Sequence, residues 1–147
     1  MNSKSFAEVL ERFRTIEFKE SFDLIVAIAN GGIIPAALLN QRLNREIQLL
    51  KLNLRDAAQK QLYPQPRLLE EIRFEVKGKT ILLVEDRVKT GTTLHYAQQL
   101  LADAKLVKTF AVNGKADYCL YDEACFRFPW LMYGDLRLNK GLEFIKC

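Results

Sequence analysis

Glu85 and Asp86 are adjacent acids directly behind an apolar run, in the stretch "ILLVEDRVKTGTTL" at residues 81–94. Lys89, Thr90, Gly91, Thr92 and Thr93 follow within a few residues. Glycine lets a backbone turn tightly and approach a ligand. Threonine hydroxyls and the free N–H groups of a helix start would complete an anion site suited to a phosphate monoester. Lys89 can add positive charge to it. Carboxylates are not phosphate ligands, so Glu85 and Asp86 need another task. They can accept hydrogen bonds from sugar hydroxyls or hold a hydrated magnesium ion. A ribose 5-phosphate would use both halves together. The plain alternative is a polar loop with a threonine as helix cap, which leaves the paired acids unexplained. Neither a G-x-x-x-x-G-K-[ST] phosphate loop nor a G-x-G-x-x-G dinucleotide turn occurs.

These residues need a scaffold, and hydrophobic periodicity supplies one. Residues 5–14 read as a helix, with Phe6, Val9, Leu10 and Phe13 on one stripe and a Ser5–Glu8 capping box. "DLIVAIA" reads as a buried strand over about residues 24–28, "NGG" as a turn, and "IIPAALLNQRL" as a helix that tolerates Pro35 in its first turn. "IQLLKLNL" is another strand. The polar, proline-containing stretch from Arg55 to Arg67 reads as a long functional loop. "IRFEV" alternates as an antiparallel edge strand would. "KTILLVE" is the strongest central strand, residues 92–103 a helix, and "VKTFAV" the next strand. After Asn113 the pattern turns irregular and aromatic. Strands alternating with helices predict an α/β fold, a doubly wound, mainly parallel sheet with flanking helices. Ligands in such sheets sit at the carboxyl ends of the strands. Both turns, "ANGGI" and "EDRVKTGTTL", lie at such ends.

The chain has 147 residues, 49% of them hydrophobic, which suits one compact domain over 1–147. No apolar run approaches the roughly 20 residues of a membrane span, so no membrane is expected. The N-terminus "MNSKSFAEVL" lacks the basic start and long apolar core of a signal peptide, and the cytoplasm is the expected location. Cys119, Cys125 and Cys147 show no C-x-x-C spacing and read as reduced, structural thiols; with His95 the single histidine, no protein-built metal site is expected. The formal charge of +4 suits anionic ligands. "KQLYPQPR" is basic but has loop-like spacing, so nucleic acid is not expected as a partner.

"ILLVEDRVKTGTTL" resembles the signature of type I phosphoribosyltransferases: an apolar strand, two acids, a short variable stretch, Thr-Gly-x-Thr and an apolar residue. "DLIVAIANGGIIPAALL" resembles the strand, pyrophosphate loop and helix of purine-type members, close to the xanthine-guanine branch. "EEIRFEVKGKTILLVED" matches their approach to the motif, and "ADYCLYDEACFRFPW" resembles their hood segment with its Pro-Trp pair. The likeness spans roughly residues 20–131. It implies the type I phosphoribosyltransferase fold with a small C-terminal hood. It also implies an enzyme that takes 5-phosphoribosyl 1-diphosphate with Mg2+ and replaces the diphosphate with a nucleobase. In that reading Glu85 and Asp86 hold the ribose hydroxyls and are the catalytic pair. Lys89, Thr90, Gly91, Thr92 and Thr93 wrap the 5-phosphate. Asn30, Gly31 and Gly32 contact the diphosphate, in a loop that in the family often contains a non-proline cis peptide. Lys115 reads a base carbonyl, or is a solvated turn lysine. The loop at Arg55–Arg67 closes over the site, and the protein assembles as a homo-oligomer.

Several positions depart from the family pattern. Lys89 stands where many purine-using members carry an aspartate that exchanges a proton with the base; an ammonium is a poor base and a good donor. Asn30 replaces a cation before the Gly-Gly. Cys125 stands where a hood aromatic would stack on the purine, with Phe126 as its neighbour and possible substitute. Leu131 replaces an acid after Pro-Trp, and Arg87 fills a usually apolar slot. Trp130 reads as packing, and His95 as a surface or packing residue. These departures motivate a second reading: a protein of the same fold that binds nucleotides or phosphoribosyl diphosphate and regulates without turnover.

Overall fold

The computed structural model describes residues 2–53 and 67–132. The short strand β1 (Asn2–Ser3) leads into helix α1 (Phe6–Thr15). Ser5 caps α1 by accepting a hydrogen bond from the Glu8 N–H at 3.1 Å. Val9 and Phe13 bury its inner face, while Phe6 stays 45% exposed. Strand β2 (Leu24–Ala29) enters the turn 30–32 and helix α2 (Ile33–Leu43). Helix α2 ends on Asn44 in the left-handed conformation, and β3 (Glu46–Asn53) runs back beside β2. Strand β4 (Arg67–Leu68) pairs antiparallel with β3. Then come β5 (Thr80–Arg87), helix α3 (Thr92–Leu100), β6 (Leu106–Asn113), β7 (Tyr118–Tyr121) and β8 (Phe126–Arg127).

The main sheet has the order β4-β3-β2-β5-β6-β7, parallel throughout except at β4. Strand β8 pairs instead with β1, tying the hood to the N-terminal segment. Side-chain alternation splits β2 and β5 between two cores. Ile25, Ala27, Leu82 and Val84 pack with Val9, Phe13, Ala36, Leu39, Phe110 and the hood phenylalanines Phe126 and Phe128. Leu24, Val26, Ile28, Ile81 and Leu83 pack with Leu94, Ala97 and Leu101 around α3. Each fully buried side chain of this kind contributes about 1.5–3 kcal/mol, and a strand buried on both faces reads as the unbroken apolar run seen in the sequence.

The expected edge strand needs correction. Residues 72–76 form no strand; the antiparallel edge is β4. Ile72, Phe74 and Val76 nevertheless pack against the α3-side core while Glu71, Arg73 and Glu75 face solvent. One-sided packing of an extended chain gives the same alternation as a ladder. Cys119 is a free thiol, as expected. The expected loop at Arg55–Arg67 lies almost wholly outside the described residues, as does Cys147. Among the described residues no helix is long and apolar enough to cross a membrane.

Candidate active site

The chain leaves β2 for α2 and β3 on one side, then crosses back to place β5 on the other side of β2. The carboxyl ends of β2 and β5 thus flank the point where the winding direction reverses, where open α/β sheets bind ligands. The turn after β2 holds Asn30 and Gly31, both exposed, and Gly32, which is buried. The Ala29–Asn30 peptide is cis, as the resemblance implies. Gly32 donates its N–H to Ile28 O at 2.8 Å, and Asn30 O accepts from Ile33 N at 3.1 Å. No Cβ fits at Gly32, because it would lie 2.3 Å from the Val84 carbonyl oxygen of β5. At Gly31 a Cβ would lie 2.6 Å from Asp86 Oδ1. The two turns therefore touch through glycine and carboxylate.

At the end of β5 each acid folds back on the backbone. Glu85 Oε1 accepts from Asp86 N at 3.0 Å, and Asp86 Oδ1 accepts from Arg87 N at 2.7 Å. Burial, reinforced by the negative charge of Asp86, pushes the Glu85 carboxyl well above the usual carboxylate range. Beyond them Gly91 adopts φ 83°, a left-handed conformation that admits glycine without strain, and it is the N-cap of α3. The Thr90 and Thr92 hydroxyls lie 3.0 Å apart, and Thr90 Oγ1 accepts weakly from Thr92 N at 3.4 Å. Helix geometry leaves the next N–H groups, of Thr93 and Leu94, without an intrahelical acceptor. Hydroxyls and N–H groups so converge on one open turn, with Lys89 exposed at its start. No threonine acts as N-cap through its side chain.

The end of β6 borders the same turn. Val88 N donates to Asn113 O at 2.9 Å, and a Cβ at Gly114 would lie 2.4 Å from Val88 O. That contact brings Lys115, which is exposed, to this edge. Asn113 is 4% exposed and grips the hood turn through both amide atoms, donating to Glu123 O and accepting from Glu123 N. All eleven sequence-selected residues therefore gather at the carboxyl ends of β2, β5 and β6. His95 lies exposed on α3, 3.3 Å from Gln99.

The hood differs from expectation. Phe126 and Phe128 are 1% and 0% exposed, so Phe126 offers no face to a ligand. Trp130 stacks on Phe128, with centroids 5.1 Å apart, and packs as expected. Periodicity and motif reading did not assign Arg87 to the site, although its presence in an apolar slot was the available signal. Its Nη2 donates to Phe126 O at 3.1 Å, and its guanidinium lies 4.5 Å from the Phe128 ring centroid. Burial lowers its pKa, and the charges of Asp86 and Glu85 pull it back up.

No group of three or more metal-ligating side chains occurs among the described residues. The two carboxylates fit a magnesium ion that is carried mainly by a phosphorylated substrate, since Mg2+ keeps several waters and needs few protein ligands.

Residues 6–127 match the family model described as "Phosphoribosyl transferase domain". The xanthine-guanine phosphoribosyltransferase of Idiomarina loihiensis is 25% identical over 121 residues, covering 78% of this chain and 74% of that protein. That of Chromohalobacter salexigens is 32% identical over 120 residues, covering 78% and 72%. A crystal structure of a purine phosphoribosyltransferase from Pyrococcus horikoshii shares the fold, with TM-score 0.72 and 22% identity over 88% of this chain and 92% of that one.

Proposed function

Because the chain belongs to the phosphoribosyltransferase family, and by that membership is a pentosyltransferase, we propose that it transfers ribose 5-phosphate from 5-phosphoribosyl 1-diphosphate to a purine-like base. The observation that carries this reading is the close approach of Gly31 to the Asp86 carboxylate, which sets the glycine turn after β2 against the acid pair at the end of β5. Glu85 and Asp86 hold the ribose hydroxyls. The turn at Lys89–Thr93 takes the 5-phosphate on hydroxyls and helix N–H groups. Asn30, Gly31 and Gly32 offer backbone to the diphosphate. Asn30 is neutral and brings no charge to the diphosphate; Asp86, whose carboxylate lies against Gly31, would be the residue to hold a Mg2+ ion there. When bound, that ion would supply positive charge to the leaving group.

The bond from the anomeric carbon to diphosphate breaks and the bond to a base nitrogen forms, through a state with positive charge on the sugar. The chain's contribution is to align both partners and stabilise that charge with the two acids. Lys89 occupies the place where many purine-using members carry a carboxylate, and an ammonium cannot accept a proton, so the proton lost from the base nitrogen passes to the departing diphosphate. Lys115 stands at the same edge to donate to a base carbonyl. The proposal includes a single-domain, cytoplasmic protein that assembles with copies of itself. The test is diphosphate release measured across hypoxanthine, guanine, xanthine, adenine, uracil and orotate. Release with an oxopurine is the expected result. Release with none, alongside measurable binding of phosphoribosyl diphosphate, would replace this reading with a non-catalytic nucleotide-binding protein of the same fold.

A further inference from the structure

Arg87 has no task in the reaction described above, yet it is the one residue that physically joins the acidic end of β5 to the hood by a side chain among the described hydrogen bonds. Its peptide N–H is bound by the Asp86 carboxylate at 2.7 Å. Its Nη2 is bound by the carbonyl of Phe126, in β8, at 3.1 Å. Its guanidinium plane covers Phe128, which is fully buried and carries Trp130 on the same ring system. Its Nε–H is buried with no partner. An orphaned donor and a desolvated cation are both costly, and a leucine or valine would fill the same gap without either. A residue that only filled space would not be an arginine.

The link has a geometric consequence. The hood has two other polar anchors: β8 pairs with β1, and Asn113, opposite Arg87 in the β5–β6 register, holds the turn at Glu123. Apolar packing of Leu82 and Val84 also joins β5 to Phe126 and Phe128, but among the described residues the polar link from the acidic end of β5 to residues 126–128 is the Arg87 side chain. We propose that Arg87 is a positioning residue: it fixes the spacing between the Glu85–Asp86 pair and the hood at Phe126–Phe128, and so sets the slot that a base would occupy beside the sugar. This rests on the proposed function for the location of the base, but its test does not need turnover.

Calorimetry with ribose 5-phosphate and with guanosine 5′-monophosphate separates the sugar-phosphate contribution from the base contribution. In Arg87→Leu the affinity for ribose 5-phosphate should stay within about twofold, while the advantage of the nucleotide over ribose 5-phosphate should shrink by roughly tenfold, as loss of one buried hydrogen bond to a charged group implies. Arg87→Lys keeps a cation able to reach the Phe126 carbonyl and should recover most of the advantage. If the leucine variant fails to fold, Arg87→Met, which keeps the aliphatic stem over Phe128, gives the same comparison. Equal losses for both ligands would overturn the proposal in favour of a general structural role, and so would an unchanged advantage in Arg87→Leu or Arg87→Met. A wild type that binds the nucleotide no better than ribose 5-phosphate would overturn it as well. Absence of diphosphate release with every base would sink the catalytic reading and leave this comparison standing.

Discussion

Glu85 sits half-buried with one oxygen already bonded to the Asp86 N–H and with the Asp86 charge beside it. Its carboxyl is raised well above its ordinary 4.5, first by burial and then by that charge. The folded protein therefore holds this proton more tightly than the unfolded chain does. Its contribution to stability is complete below pH 4.5 and is lost as pH rises through the folded value. Glu85→Gln lacks this titration. Melting curves from pH 4 to 8 should show the variant gaining on the wild type as pH rises, with the gap closing on acidification. A gap independent of pH would refute the assignment. Lys89 is tested by a different measurement. Lys89→Ala should weaken ribose 5-phosphate binding by about 1.5–3 kcal/mol if the amine serves the phosphate. Raised salt should narrow that difference by screening. Unchanged affinity for ribose 5-phosphate with weaker nucleotide binding would move Lys89 to the base.

At the scale of elements, the packing of the β2–α2 turn on β5 separates two neighbouring glycines. A methyl at Gly32 meets the Val84 carbonyl of a central strand, which cannot move without opening the sheet. Overpacking of that kind costs roughly 1–3 kcal/mol, so Gly32→Ala should lower the melting temperature. A methyl at Gly31 meets the Asp86 carboxylate first, a side chain that can rotate away. Gly31→Ala should melt near the wild type yet bind phosphoribosyl diphosphate more weakly, because the displaced acid loses its aim. The reverse order of stability in thermal melts would refute this account. The two turns were legible in the sequence because strand, glycine and helix start are local signals, and α2 begins and ends where its pattern predicts. Their contact was not legible, since it depends on the parallel register of β2 on β5, Ala27 opposite Val84. The same holds for Arg87, whose partners lie about forty residues away in sequence. Strand β7 and the β1–β8 pair escaped notice because runs of two to four residues carry too little periodicity. Segment 72–76 misled because its alternation reflects burial alone.

For the whole molecule, the sheet has two unlike edges. On one side β6 and β7 are covered by aromatic packing: Phe18 meets Phe22, Phe110 and Tyr118, and Tyr118 bonds Glu20. The other side ends on the two-residue strand β4, where Leu49 and Leu69 remain 40% and 53% exposed beside the Lys51–Glu70 ion pair at 2.9 Å. The register Leu52 opposite Leu68 places Leu69 opposite Lys51, on the face that also carries Leu49. Two apolar side chains and an exchangeable ion pair on one strip suit contact with a second copy, in which each buried leucine would contribute about 2 kcal/mol. The chain continues from β3 into the segment around Arg55, which is expected near an interface because that loop root follows the active edge in sequence, and which lies outside the described residues. The expected outcome is a homo-oligomer by light scattering at micromolar concentration, and a shift toward monomer in Leu69→Glu, with its unfolding transition retained because Leu69 contributes to neither core. A wild type that is monomeric at that concentration would refute the assembly, and an oligomer indifferent to Leu69→Glu and Leu49→Glu would place the interface on another face.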